Sequence, residues 1–171
     1  MNDPHICYLQ KTHLRTKDLH RLKVKGWKQI FQANRQEKKG GVAIFISDKI
    51  DFKTKAIKRD PEGHFIILKG RIHQEDINTV NIYTLNIGGT KYIRKNLEDF
   101  KKDINSNTLI LRDFKTPLSI VDRTSKQNIN KDIVSLNNTL EEMDITDIYI
   151  EDLSFQRSKI HVLFKCTWDI F

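Results

Sequence analysis

Short apolar runs separated by turn signals fill the first half of the sequence, and they limit the fold more than any other feature. The runs are rich in β-branched and aromatic residues and are too short for typical helices. Turns such as Asp60–Gly63 separate them. We predict six strands here: Ile6–Leu9, Trp27–Phe31, Val42–Ser47, Phe52–Lys58, His64–Ile72 and Asn78–Tyr83. Such a series of neighbouring short strands favours antiparallel pairing.

Two later segments have helical periodicity. Apolar residues three or four positions apart fall on one face of a helix, and this spacing recurs at Ile93, Leu97, Phe100 and Ile104 and again at Ile133, Leu136, Leu140 and Met143. We therefore predict helices over Tyr92–Ile104 and from a cap at Asn130 onward. Further strands are predicted at Thr108–Leu111 and Ile160–Phe164. Many short strands with few helices predict an α/β layered sandwich, built as a single domain over residues 1–171.

Charge is concentrated in the N-terminal third. Residues 1–60 hold 15 basic and 6 acidic residues, a net charge of +9 in a chain whose total is +8. A basic face attracts polyanions, most commonly nucleic acid, although a solvated lysine-rich surface explains the pattern equally well. No apolar run approaches the roughly 20 residues of a membrane span. Cys7 and Cys166 lie far apart, which favours reduced thiols and an intracellular protein.

Polar residues follow three predicted strands, at Gln10–His13, at Tyr83–Asn86 and at Asp113. Active residues of layered folds gather where strands end and loops begin. An Asp at such a position can bind a hard cation or orient a water molecule. It can equally cap the following turn. These three strand ends are therefore the places where chemistry is to be sought.

Seven segments, in this order, carry a resemblance to a known family: QKTHL, KGWKQIFQAN, KKGGVAIFISDK, KRDPEGHFIILKG, NIYTLN, TLILRDFKTPLSIVDR and SKIH. They resemble the endonuclease domain of mammalian LINE-type retrotransposons, a member of the exonuclease–endonuclease–phosphatase superfamily related to apurinic/apyrimidinic endonucleases. The resemblance implies a four-layer α/β sandwich of two mixed sheets. It also implies a truncated copy, because the family's first strand, with its metal-site Asn, and its terminal Ser-Asp-His motif have no counterpart here.

The family nicks DNA by magnesium-assisted hydrolysis of a phosphodiester, and the resemblance transfers this chemistry only in part. Lys11 stands where the family has its metal-binding Glu, so a cation replaces the carboxylate ligand. Asp113 matches the water-orienting Asp of the family's Gly-Asp-Phe-Asn motif. Arg112 replaces the Gly of that motif and Lys115 replaces its Asn, which exchanges an amide for a group that only donates hydrogen bonds. We expect no bound Mg²⁺ in this copy.

Further positions follow from the same resemblance. Tyr83 matches a Tyr that supports the scissile phosphate, and Asn86 matches an Asn that faces DNA. Arg123 matches an Arg at the DNA backbone, and Ser158 and Ile160 match the family's Ser-Lys/Arg-Ile-Asp segment. His161 fills the position of the Asp in that segment. Purely structural roles are open for several of these residues. Tyr83 can pack between the sheets, Asp113 and Arg123 can form surface ion pairs, and His161 can occupy an edge or core position.

Three functions are consistent with these observations. The first is a retrotransposon-derived, endonuclease-like domain that has lost catalysis and binds DNA weakly. The second is a divergent phosphodiesterase that still hydrolyses its substrate with another ligand set, for which Asp113, Asp122 and His161 are candidates. The third is a basic DNA-binding remnant without enzymatic activity. A functional copy is expected in the nucleus, and the sequence indicates no obligate protein partner.

Overall fold

The computed structural model describes residues 5–12, 24–34, 40–83, 89–113, 131–151 and 159–165. The elements in these residues are β1 (Ile6–Gln10), β2 (Trp27–Ala33), β3 (Val42–Ser47), β4 (Phe52–Arg59), β5 (Phe65–Ile72), β6 (Glu75–Ile82), α1 (Gly89–Asp99), β7 (Thr108–Asp113), α2 (Lys131–Glu142), β8 (Thr146–Glu151) and β9 (Lys159–Lys165). Contacts divide the chain into two compact units. The first comprises Met1–Tyr83 and Leu109–Arg112, and the second comprises Thr84–Thr108 and Asp113–Phe171.

A three-stranded antiparallel sheet with the order β1-β3-β2 forms one layer of the first unit. Its central strand, β3, is buried along its whole length because it is apolar and is paired on both sides. Gln10 and Ala33, the last residues of β1 and β2, both pair with Val42, the first residue of β3. The ends of all three strands therefore meet at one end of this sheet.

The strands β4-β5-β6-β7 follow one another in the second sheet of the first unit. Pairing is antiparallel from β4 to β6, as expected for strands joined by short turns. The register slips between Thr54 and Ala56, which makes Lys55 the extra residue of a β-bulge. Its ammonium lies 2.6 Å from the Asp76 carboxylate, so the bulge directs a lysine toward a surface ion pair.

The apolar core of this unit lies between the two sheets. Alternate residues of each strand face inward, and the core comprises Phe31, Ala33, Val42, Ile44, Ile46, Phe52, Ile66, Leu68 and Tyr83. The rings of Phe31 and Phe52 meet edge to face, with their centroids 6.4 Å apart. Phe52 also lies directly over Gly70, where an added Cβ would come within 2.2 Å of the ring. Glycine at position 70 therefore makes room for the Phe52 ring.

In the second unit, α1 and α2 pack against each other. The Arg94 guanidinium donates a hydrogen bond to the Ser135 hydroxyl, and Lys91 lies 3.8 Å from Asp132. The strands β8 and β9 form an antiparallel pair, in register from Thr146 with Phe164 to Glu151 with Lys159. Within the described part of the chain, no helix is long and apolar enough to cross a bilayer.

The strands and helices predicted from periodicity are confirmed, with bounds that differ by up to three residues at the strand ends and by more at the end of the first helix. The first helix ends at Asp99, and the chain then turns, because the amides of Asp103 and Ile104 both donate to the carbonyl of Phe100. The predicted apolar stripe continues through this turn, with Phe100 and Ile104 buried. The strand β8 was absent from the sequence-based prediction. The predicted cap Asn130 lies outside the described residues.

Candidate functional site

The strand ends that meet in the first unit form the candidate site. We call it the Lys11 end and define it as Gln10–Thr12, Ala33–Asn34, Gly40–Val42 and Asn81–Tyr83. Two of the three polar strand ends predicted from the sequence, those at Lys11 and Tyr83, are thus brought to one place. They meet because β1 and β6 lie in facing sheets and the Asn81 side chain joins the two strands.

Asn81 is the buried centre of the Lys11 end. Its side-chain amide donates to the carbonyls of Leu9 at 3.1 Å and Ala43 at 3.0 Å, and its side-chain oxygen accepts a hydrogen bond from Gln10 at 2.8 Å. The residue has no exposed surface. A fully paired buried amide is stabilising, whereas an unpaired one is costly. This amide therefore fixes the end of β1 against the opposite sheet, directly before Lys11.

Lys11 is the first residue after β1, and its side chain is exposed. Its φ of 56° lies in the left-handed region, which residues other than Gly, Asn and Asp seldom adopt. The flanking bonds hold it there, because Gln10 is bonded to Asn81 and the Thr12 amide donates to the Gly41 carbonyl at 3.1 Å. Among the residues that the structure describes, none forms an ion pair or hydrogen bond with the Lys11 ammonium. The structure thus presents Lys11 as an exposed cation on a restrained backbone.

The glycine pair Gly40–Gly41 fits closely between Thr12 and Tyr83. A Cβ on Gly41 would come within 2.7 Å of the Thr12 hydroxyl, and one on Gly40 would come within 3.3 Å of the Tyr83 ring. Gly41 also has a φ of 118°, which only glycine adopts without strain. Space requires glycine at position 41, and backbone conformation favours it at both positions because Gly40 also has a positive φ, 153°.

Three buried oxygen atoms in and next to the Lys11 end form no hydrogen bond with described residues. They are Thr12 Oγ1, Gln32 Oε1 and Asn34 Oδ1. The atoms of Thr12 and Asn34 lie 2.7 and 3.3 Å from the same point, the position of a Cβ on Gly41. Buried polar atoms in folded proteins nearly always have a hydrogen-bond partner, so two unpaired oxygens next to Gly41 mark this part of the Lys11 end as unusual.

Tyr83 is buried in the core, and its backbone amide donates to the His64 carbonyl at 2.7 Å. The Asp60 carboxylate in turn accepts a hydrogen bond from the backbone amide of His64 at 2.8 Å, and Nδ1 of His64 lies 3.1 Å from the same oxygen. Arg59, the residue before Asp60, donates a hydrogen bond from Nε to the Gln32 carbonyl at 3.0 Å. A histidine–aspartate pair and an arginine therefore lie beside the Lys11 end.

The donor groups at the Lys11 end do not suit a divalent cation. Magnesium prefers oxygen ligands and is usually held by one or two carboxylates. Here residue 11 carries an ammonium, and the unpaired oxygens of Thr12 and Asn34 are neutral. No group of three or more His, Cys, Asp or Glu side chains lies within metal-binding distance in the described parts of the chain.

Other predicted site residues lie elsewhere. Asp113 is the last residue of β7, with Arg112 before it, and Ile160 and His161 belong to β9. The structure describes only the backbone of these four residues. Outside the described residues lie Asn86, Lys115, Asp122, Arg123 and Ser158. Their roles stay predictions from the family resemblance.

Thr12 belongs to the polar end Gln10–His13 that was predicted from the sequence, whereas Asn81, Gly41 and the Asp60–His64 pair were not predicted as parts of this region. A signal for Asn81 was available, because it is an amide inside an otherwise apolar run, Val80–Tyr83. Buried polar residues in such runs need partners. The glycine pair was interpreted only as part of a charged turn.

Comparison with solved structures identifies the fold. The endonuclease domain of TRAS1, a telomere-specific non-LTR retrotransposon, matches with a TM-score of 0.56 at 12% identity, over 80% of this chain and 66% of that one. An AP endonuclease from Archaeoglobus fulgidus matches with a TM-score of 0.58 at 14% identity, over 94% and 76%. D. rerio TDP2 complexed with a single-strand DNA product gives 0.57 at 10% identity, over 96% and 72%.

These neighbours all have the endonuclease/exonuclease/phosphatase fold. The chain has this α/β sandwich fold, and the predicted fold class is confirmed. It spans about two thirds of the length of the TRAS1 domain. No protein-family model matches the sequence.

Proposed function

We propose that this chain is a retrotransposon-derived domain of the nuclease fold that binds DNA but no longer cleaves it with magnesium. One observation carries the proposal: the position that holds the metal-binding carboxylate in the resembling family is Lys11, an exposed cation in this structure. A positive side chain at that position repels a divalent ion that a carboxylate would attract. Lys115 removes a second functional group of the family, so two members of a cooperating set are altered.

DNA is the proposed partner for two reasons. The N-terminal third carries half of the basic residues of the chain but few of its acidic ones, with a net +9 over residues 1–60. Structural neighbours include an AP endonuclease and a TDP2 bound to a single-strand DNA product, both of which act on or hold DNA. Because phosphate contacts release counterions, binding by such a surface should weaken steeply as the salt concentration rises.

A plasmid-nicking assay with magnesium tests the loss of cleavage. We expect the purified protein to leave supercoiled plasmid intact and to match its Asp113→Ala variant. A cooperative thermal melt of both proteins serves as the folding control. Magnesium-dependent nicking that Asp113→Ala abolishes would overturn the proposal and favour the divergent phosphodiesterase.

A filter-binding series with duplex DNA between 50 and 200 mM salt tests the retained function. We expect binding at low salt and a linear fall of the logarithm of the affinity with the logarithm of the salt concentration. A cooperatively folded protein that retains no DNA at low salt would contradict the proposed binding.

A further inference from the structure

We propose that the Lys11 end is a metal-free phosphate site. The Lys11 ammonium binds the phosphate directly, at the position where the resembling family binds a metal ion. The inference rests on the proposed function, for which it names the residue that touches the DNA backbone. The ligand class is a phosphate group, whether in a nucleic-acid backbone or as a free anion. In the family that the sequence resembles, a metal ion attracts the phosphate, and here a side chain of the same sign takes that role.

The first support is the restraint on Lys11. Left-handed backbone at a residue with a Cβ is unfavourable, and it persists only where the surroundings impose it. The surroundings here are the partly buried Gln10–Asn81 bond on one side and the bond from the Thr12 amide to the Gly41 carbonyl on the other. The base of this lysine is therefore fixed, which lowers the entropy lost when its ammonium binds a ligand.

The second support is the availability of the charge. Three exposed cations elsewhere in the first unit are engaged: Lys55 and Arg71 both bind Asp76, and Lys53 lies 3.6 Å from Asp51. Lys11 has no such partner among the described residues. The Asp60 carboxylate, which lies beside the Lys11 end, already accepts a bond from the His64 amide and lies 3.1 Å from His64 Nδ1. An incoming phosphate thus meets a cation that no described acid neutralises.

The third support is the pair of unpaired oxygens next to Gly41, those of Thr12 and Asn34. The Thr12 hydroxyl, directly next in sequence to Lys11, has no partner among the described residues although it is buried. A hydroxyl is both donor and acceptor, whereas Asn34 Oδ1 beside it is only an acceptor. The Thr12 hydroxyl is therefore the member of this pair that can donate a hydrogen bond to a phosphate oxygen.

A phosphate titration followed by ¹H–¹⁵N spectra tests the site in the presence of EDTA. We expect saturable shifts of the amides of Lys11, Thr12, Gly40 and Gly41 with inorganic phosphate in the wild-type protein. Lys11→Gln should abolish them, and Lys28→Gln should not. Lys28 is a matched control because it is an exposed lysine of the same sheet, on β2 near Trp27, which pairs with Ser47 at the opposite end of β3. Equal shifts in all three proteins, or none in the wild type, would overturn the site.

Lys11→Gly separates binding from folding. Glycine accepts the left-handed backbone of position 11, so the thermal midpoint should stay the same or rise while the phosphate shifts disappear. A residue that only supported the fold would show the opposite result, with a lower midpoint. A lowered midpoint in Lys11→Gly would therefore contradict the account of this backbone.

A DNA-binding series distinguishes the two phosphate sources. Removing one phosphate contact should reduce the slope of log affinity against log salt by about 0.9, so we expect this reduction in Lys11→Gln and no reduction in Lys28→Gln. Phosphate shifts with an unchanged slope would show a free-phosphate site and overturn the DNA contact. DNA binding with equal slopes and no phosphate shifts would overturn the site and leave the proposed function standing. Phosphate shifts without any DNA binding would support the phosphate site and overturn the proposed DNA-binding function.

Discussion

Replacement of the buried Asn81 amide offers the sharpest test of how the Lys11 end is held. Asn81→Ala removes three hydrogen bonds of 2.8 to 3.1 Å and leaves Gln10, Leu9 and Ala43 with unpaired groups. Each unpaired buried group costs about 1–3 kcal/mol, so even the lowest value for each gives a loss of about 3 kcal/mol in the free energy of unfolding. That is a large fraction of the stability of a small domain.

Gln29→Ala is the matched control. Gln29 also links the two sheets, but its bonds to the Phe52 carbonyl and the Thr54 hydroxyl are long, 3.4 and 3.3 Å, and the side chain is partly exposed. Water can replace these partners, so we expect a loss below about 1 kcal/mol. Urea unfolding followed by circular dichroism measures both variants. A loss for Asn81→Ala no larger than that for Gln29→Ala would refute the reasoning.

Three further predictions concern the rest of the first unit. Gly70→Ala forces a Cβ to within 2.2 Å of Phe52, so it should lower stability by about 1–3 kcal/mol, and adding Phe52→Leu should recover part of this in thermal melts. Hydrogen bonds from Lys55, and to a smaller extent from Arg71, lower the pKa of Asp76 in the folded protein. The ionised Asp76 therefore stabilises the fold at pH values above its unfolded-state pKa, and this stabilisation is lost as the pH falls through its folded-state pKa. The stability difference between wild type and Asp76→Asn should therefore close on acidification below about pH 4, and high salt should reduce it at neutral pH. Burial raises the pKa of the Cys7 thiol, so its alkylation should be slower in the folded protein than in urea.

Much of the fold could be predicted because apolar patterning reports burial directly. Val42–Ser47 was predicted with the bounds that the structure has, because Gly41 and Asp48 flank the run and set the two ends of the strand. The end of α1 could not be predicted in the same way. Phe100 and Ile104 keep the helical spacing and are buried, but they belong to a turn beyond the helix. Periodicity identifies the buried face and not the backbone conformation that presents it.

The candidate site was only partly predictable, for a different reason. Lys11 and Tyr83 could be placed through the family resemblance, because their neighbours in sequence carry it. The role of Asn81 depends on Leu9 and Ala43, which lie 72 and 38 positions away along the chain. No local pattern reports such partners. The close approach of Thr12 to Gly41 is likewise a consequence of strand register, which was not predicted.

The most direct test of the central claim is a manganese titration of the wild-type protein followed by amide signal intensities. A paramagnetic ion broadens the signals of residues near its site. A metal site like that of the resembling family would place the ion next to residue 11. We predict that the amides of Gln10, Lys11 and Thr12 lose no more intensity than those of Lys28 and its neighbours. Selective, saturable broadening at Gln10–Thr12 would contradict the account, because it would show a divalent ion bound beside a lysine.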